Sequence, residues 1–539
     1  MLFIMADQLR WDYLSCAAPD RVATPNIDAL AARGVRFDRT YVQSPICGPS
    51  RMSFYTGTYM RTHGTTWNDV PLRADEWTLG DYLRPLGMRT QLVGKTHMRA
   101  DLEALARLGV DPASPAGRLA VECGFEAFER DDGLHPEWTG APASRFTSLR
   151  YNQYLNALGY DGLNPWHTWA NSWQDDAGAV HSGWFLDAGT KPARVRAEHS
   201  ETPYMTRRAI ECIEQSGDAP WCIHLSFIKP HWPYIAPAPY HALYAPGDAP
   251  AAVRSDDERG TNHPVYAAFQ QLRYSQAFSR DEIRRTVIPA YMGLIRQIDD
   301  ELGKLFAYLE ARGLLESTLI VFTSDHGDYL GDHWLGEKEF FHEPSVRVPL
   351  IVVDPRAEAD ATRGTVSGAL VEAIDLVPTF VEFAGGTPAY QRVQGRSLMP
   401  LLHGERPPGW RTAAFSENDN AINGVRTLLG SPLDRSKMQM VVTDRWKLLR
   451  FDGYAPMAFD LHDDPHELHD RGSDPAAAAV VAELEDRFAD WAERVRRPTE
   501  TAAAQERRTG TQTERGILIG FWSEDDLAAQ RTHPRGTNG

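Results

Sequence analysis

The chain has 539 residues, 42% of them hydrophobic and 24% charged, the balance of a folded globular protein and not of a disordered or fibrous one. Its 73 acidic against 56 basic residues give a formal charge of -17, a field that argues against nucleic acid as a partner, although a small anion can still bind in a locally positive pocket. No apolar run approaches the roughly 18 to 20 residues that a membrane span needs.

Leu2-Phe3-Ile4-Met5 reads as a buried strand ending at Asp7, and with no cationic leader before it no signal peptide is expected. Thr24-Pro25 opens a helix as N-cap and first-turn proline, Gly34 closes it, and residues 35–42 form the next strand. Residues from about 100 to 200 are rich in Gly, Pro and Asp and lack a long period. They read as an irregular insertion over the sheet, whose Trp138, Trp166, Trp169, Trp173 and Trp184 either pack a cap or wall an aromatic pocket. Further on, Ile288, Tyr291, Ile295, Ile298, Leu302, Leu305 and Leu309 step by 3 and 4, a helical stripe stopped at Gly313. Leu319-Ile320-Val321-Phe322 is then a buried strand that ends in Thr323-Ser324-Asp325-His326-Gly327. Strand, helix and strand with polar residues at the strand ends is the doubly wound pattern, in which ligands collect at the carboxyl ends of the strands.

After about residue 390 the pattern changes. Residues 440–442 and 446–449 predict a hairpin turning at Thr443-Asp444-Arg445, and Val481, Leu484, Phe488, Trp491 and Val495 mark a final helix. From Thr499 the chain is polar until Gly516-Ile517-Leu518-Ile519-Gly520-Phe521-Trp522, an apolar patch expected to dock on its own body or on a neighbouring subunit. The elements together predict an α/β domain over 1–390, a smaller C-terminal α+β domain on a short antiparallel sheet over 391–498, and a tail over 499–539. The five scattered cysteines (Cys16, Cys47, Cys123, Cys212, Cys222) contain no CxxC pair and predict a reducing, cytoplasmic compartment.

The sharpest chemical signal is Ser44-Pro45-Ile46-Cys47-Gly48-Pro49-Ser50-Arg51. Cys47 would sit at a helix N-terminus, where N–H groups and the dipole favour an anion, with Arg51 one turn along to steady it. A thiolate phosphatase loop has five residues between its cysteine and arginine; here there are three, so that chemistry fails on spacing. A buried structural cysteine is the bland alternative. Other candidates sit at strand ends. These are Asp7-Gln8, Gly94-Lys95-Thr96-His97, Asp325-His326, and the segment Lys229-Pro230-His231-Trp232-Pro233, whose prolines restrict the backbone of His231.

Cys-x-Pro-Ser-Arg resembles the signature of the type I sulfatases of the alkaline phosphatase superfamily, and the other candidates follow in that family's order over most of the chain. The resemblance implies an alkaline-phosphatase-like large mixed sheet flanked by helices. It also implies a formylglycine made from Cys47 by a maturation enzyme, and one divalent metal ion held by Asp7, Gln8, residue 47, Asp325 and His326. That oxygen and imidazole set suits calcium or manganese better than zinc. Arg51, Lys95, His97, His231 and Lys338 are implied as catalytic, with Asn68, Lys95, His231 and Lys338 touching a small anionic ester. Glu337 and Glu339 flank Lys338, so a surface ion pair is its bland reading. Gly395-Arg396-Ser397-Leu398-Met399-Pro400-Leu401-Leu402 and the stretch from Phe459 to Leu468 resemble late family signatures.

In the implied mechanism one hydroxyl of the hydrated aldehyde attacks sulfur and Lys338 or His231 protonates the leaving alcohol. His97 then takes a proton from the second hydroxyl, so that sulfate leaves by C–O cleavage. Asp7-Gln8 and Asp325-His326 are similar to the phosphonate monoester hydrolase branch, whereas Lys95-x-His97 is the sulfatase form. Sulfate monoesters, aryl ones first, are therefore the expected substrates, and phosphonate monoesters or phosphodiesters the alternative. A two-zinc phosphatase lacks its extra ligands here, and an inactive binding protein of the same fold is the remaining reading. A homodimer or homotetramer is expected.

Overall fold

The strand Leu2–Asp7 is apolar at consecutive positions because both of its faces are covered. Leu2, Ile4 and Ala6 point into one core, packed by the long helix Asp281–Ala311. Phe3 and Met5 point into the other, with Met52, Phe54 and Phe380. In the computed structural model, which describes residues 1–259, 263–495 and 518–531, this strand lies near the middle of an eight-stranded sheet. In spatial order the strands are Thr365–Glu372, Val35–Tyr41, Arg347–Val353, Ile320–Ser324, Leu2–Asp7, Trp221–Pro230, Arg89–Gly94 and Glu126–Arg130. Arg347–Val353 is antiparallel to both its neighbours and the other pairings are parallel, so this is a mixed sheet. The carboxyl ends of the four strands carrying Asp7, Lys95, His231 and Asp325 therefore open on one edge.

A smaller antiparallel sheet, Ala414–Asp419, Lys437–Val442, Trp446–Phe451 and Tyr454–Asp460, is backed by the helix Ala478–Arg494. Leu484, Phe488, Trp491 and Val495 pack there on Phe415, Val441 and Leu448. Lys447 pins this sheet to the large one. Its fully buried ammonium meets Glu343 at 2.8 Å, Glu467 at 2.6 Å and the carbonyl of Phe341 at 3.1 Å. Replacing Lys447 by Met leaves two buried carboxylates facing each other, and is expected to cost about 3–5 kcal/mol in a urea melt.

Two sequence expectations are corrected here. The stretch from 100 to 200 is not wholly irregular: Glu126–Arg130 joins the large sheet as its edge strand, and Arg150–Ala157 is a helix. The half-exposed sequence Glu-Ala-Phe-Glu-Arg carries too little apolar alternation to announce a strand. The helix Pro25–Arg33 does start after Thr24, but the Thr24 side chain turns to Ser15 and Asp28. Asp299 of the long helix takes the free N–H groups of Asn26 and Ile27, at 3.0 and 2.8 Å. The long helix also begins at Asp281, two turns before the stripe, with Pro289 inside it. Among the described residues no helix is long and apolar enough to cross a membrane.

Gly516 and Ile517 lie outside the described residues, but Leu518, Ile519 and Phe521 are buried against the core of the same chain. The carbonyl of Phe521 accepts from the N–H of Leu186 at 3.1 Å, and the guanidinium of Arg273 stacks 3.7 Å from the Phe521 ring. Gly520, at φ 85°, is pressed against the backbone of Tyr274, with no room for a Cβ.

Candidate active site

Asp7, Cys47, Lys95, His231 and Asp325 sit at or just beyond the ends of elements that the sheet order brings to the same edge, while Arg51 lies one turn into the helix Cys47–Thr56 and Asn68 and Lys338 lie in loops. Asp7 ends its strand, and the next residue, Gln8, takes a left-handed φ of 63° so that its N–H reaches Asp325 Oδ1 at 3.0 Å. The helix Cys47–Thr56 begins at the cysteine and is buried along its whole length. Its early N–H at Gly48 donates to Asn68 Oδ1 at 2.8 Å, so Asn68 caps the helix from the side. His97, Glu337 and Glu339 also hold left-handed backbones, at φ 55°, 61° and 73°. Such strain in non-glycine residues gathers at functional sites.

Arg51 organises the centre. Its side chain is fully buried and donates from Nε to Asp325 Oδ2 at 2.8 Å and from Nη2 to Asp7 Oδ2 at 3.0 Å. Nη1 reaches Ser226 Oγ at 2.8 Å and the carbonyl of Lys95 at 3.0 Å. Lys95 Nζ lies 2.5 Å from the same Asp7 oxygen. Burial alone would raise the Asp7 carboxyl, but the charges of Lys95, His231, Arg51 and His326 overcome it and hold it well below the usual carboxylate range.

Ligand atoms of Asp7, Cys47, Asp325 and His326 all lie within 4.8 Å of one another. His326 Nδ1 faces the carbonyl of Gly327 at 2.9 Å and so carries the proton, which leaves the lone pair of Nε2 turned toward Cys47 Sγ at 3.0 Å. Burial first, with Lys338 adding to it, lowers the imidazole's proton affinity against the pull of Asp325. Two carboxylates, a neutral imidazole and residue 47 therefore fit one divalent cation. Gln8 stands beside this set: its carboxamide oxygen accepts from Lys338 Nζ at 2.8 Å and its amide donates to Asp328 at 2.6 Å.

His231 and Lys338 close the other side. The His231 ring donates from Nδ1 to the carbonyl of Trp232 at 2.7 Å, and burial holds its pKa well below the ordinary value. Its Nε2 is thus an acceptor. Lys338 is the opposite case. Burial disfavours its charge, but Cys47, Glu337, Asp7 and Asp325 raise its pKa above the ordinary lysine value. The surface ion pair considered for Lys338 is therefore replaced by a buried one, 3.5 Å from Glu337. His97 donates its backbone N–H to Asp132 at 3.0 Å, and its ring Nδ1 is buried with no hydrogen-bond partner among the described residues.

Sequence reading missed Ser226, Tyr234 and Asp328, and gave Lys229 no role of its own. Tyr234 and Gln8 share the Asp328 carboxylate, at 2.6 Å each, and Lys229 anchors the His231 segment. Asp328, three residues after Asp325, could have been flagged; Ser226, inside a buried strand, carries no outward sign.

A family model described as sulfatase matches residues 1–103 and 137–386. The chain belongs to the sulfatase family. Residues 331–494 of this sulfatase also match the C-terminal model of N-sulphoglucosamine sulphohydrolase. It is 30% identical over 514 residues to the multifunctional alkaline phosphatase superfamily protein PehA of Trinickia caryophylli, covering 91% of this chain and 94% of that one. It is 26% identical to an arylsulfatase of Clostridium perfringens, over 87% and 89% of the two chains. Its structure resembles the phosphonate monoester hydrolase of Silicibacter pomeroyi with a TM-score of 0.79 and 30% identity, over 92% and 95% of the two chains. The sulfatase is thus a hydrolase with the alkaline-phosphatase-like fold that its sequence implied.

Proposed function

We propose that this sulfatase hydrolyses sulfate monoesters of small organic alcohols, with a formylglycine at position 47 and one divalent ion, calcium or manganese. The observation that carries the reading is Lys95, fully buried on Asp7 beside the guanidinium of Arg51. A sulfate ester is already anionic, so its attack by an anion requires charge neutralisation first. Three buried cations within a chain of net charge -17 supply it locally.

Asp7, residue 47, Asp325 and His326 would hold the ion, with Gln8 as a further proposed donor. The ion would polarise the ester oxygens and favour the deprotonated nucleophile. A formylglycine would supply a diol whose second hydroxyl lets the product leave, which a plain thiol or single hydroxyl lacks. Arg51 fixes the two carboxylates and Lys95 binds the sulfate oxygens. Of the two proton donors considered for the leaving alcohol, the geometry favours Lys338, because His231 has committed its N–H to the carbonyl of Trp232. His231 Nε2 and the free His97 Nδ1 are the proton acceptors. Asn68 serves the site through the helix start. A maturation enzyme, a cytoplasmic location, a homodimer or homotetramer, and domain limits at 390 and 498 are parts of the same proposal.

Phosphonate monoesters are the second reading, favoured by Asp7-Gln8, Asp325-His326 and the resemblance to the Silicibacter enzyme. The decisive experiment is kcat/KM for an aryl sulfate and an aryl phosphonate monoester on one preparation. The sulfate is expected to win; a phosphonate preference of about 100-fold or more, some 2.7 kcal/mol of transition-state binding, reverses the assignment.

A further inference from the structure

We infer that Trp232 is a specificity-determining residue: its indole walls the leaving-group side of the site and selects esters of aromatic alcohols. This deepens the ester-hydrolase reading and rests on it.

Burial within the site is graded. Asp7, Arg51, Lys95, Asp325 and His326 are 0% exposed, whereas Glu337, Lys338, Trp232 and His97 keep 5%, 6%, 6% and 8%. The anionic head of an ester goes to the cations at the closed end, so its organic half is left on the side where exposure remains. Trp232 is on that side. Lys338 Nζ lies 5.7 Å from its ring centroid, and the His231 ring lies 3.9 Å from it. The proposed proton donor for the leaving oxygen therefore rests on the indole, held in part by cation–π attraction.

The ring is built to stay there. Trp184 packs behind it at 5.2 Å, and Trp138 packs on Trp184 at 6.1 Å. Beneath, Lys229 Nζ is buried and donates to the carbonyl of Pro233 at 3.0 Å and to Asn171 Oδ1 at 3.3 Å, clamping both ends of the five-residue segment. An immobile indole loses little entropy when a flat group stacks on it.

A second observation points to a ligand. Among the described residues, the indole nitrogen of Trp232 is buried with no hydrogen-bond partner, and so is that of Trp184. An unpaired buried donor beside a reacting centre is open to a ligand's acceptor or to an ordered water. A ring substituent or the leaving oxygen itself would satisfy Trp232.

The test uses wild type, Trp232→Ala and Trp232→Phe with phenyl sulfate, ethyl sulfate and inorganic sulfate as a competitive inhibitor. The ratio of kcat/KM for phenyl over ethyl sulfate is expected to fall at least about tenfold in Trp232→Ala and to be largely restored in Trp232→Phe. The Ki of inorganic sulfate, which reads the anion end and the integrity of the fold, should stay within about twofold. An unchanged ratio overturns the proposal, as does a uniform loss on both esters with a weakened sulfate Ki, which is the mark of mere packing. If Trp232→Ala does not fold, Trp232→Leu is read against the same two outcomes. A wild type that prefers phosphonates sinks only the sulfate reading, and the same ratio is then read on phenyl and ethyl phosphonate monoesters.

Discussion

Replacing Cys47 by Ala is expected to remove ester hydrolysis, lowering kcat by about 10⁴- to 10⁶-fold on aryl sulfates and aryl phosphonates alike. Both reactions pass through residue 47, so a loss confined to one of them would contradict a shared nucleophile. The fold should survive. Cys47 is a small buried side chain at a helix start, and the helix is held by Asn68 and by the nine buried residues that follow Cys47. Thermal midpoints of the two proteins should therefore lie close together. Cys47→Ser keeps one hydroxyl without the second, and is expected to release one equivalent of alcohol and then stop. Sustained turnover by Cys47→Ser would mean that a single hydroxyl suffices, and the case for a modified residue would fall with it.

The second large effect is on stability. Arg51→Leu removes the guanidinium that touches Asp7, Asp325, Ser226 and the carbonyl of Lys95, and leaves two fully buried carboxylates on one side of the cluster. Losing one partner of a buried ion pair costs about 3–5 kcal/mol, because the remaining charge is uncompensated. The prediction is for protein treated with a chelator, since a divalent ion would offset part of the carboxylate charge. Adding calcium or manganese back should restore more of the lost thermal midpoint in the variant than it adds to wild type. Arg51→Lys is not expected to rescue activity: a lysine supplies the charge but not four donors in one planar fork. Wild-type stability in Arg51→Leu after chelation would show that the carboxylates are not held in the charged pair described here.

The large elements were readable because their physics is local. The two-faced strand Leu2–Asp7 and the stripe of the long helix each state their burial in their own residues. The candidate site residues came instead from the family resemblance. Residues such as Asp7, Cys47 and Asp325 sit at element ends, and the parallel sheet order brings those ends together. What stayed hidden depends on contacts between distant segments. Nothing near Gln8 announces that its carboxamide bridges Lys338 and Asp328, more than 300 residues away. The division of roles between His231 and Lys338 was open in the sequence for the same reason. The proposed division rests on one hydrogen bond to a backbone carbonyl.

The central claim is chemical and concerns one side chain. Mass spectrometry of the peptide spanning Ser44 to Arg51, taken from enzyme of measured specific activity, tests it directly. The account predicts an aldehyde at position 47, reactive toward a hydrazine probe, in a fraction that rises and falls with activity across preparations. Fully active enzyme whose residue 47 is an unaltered thiol would contradict it.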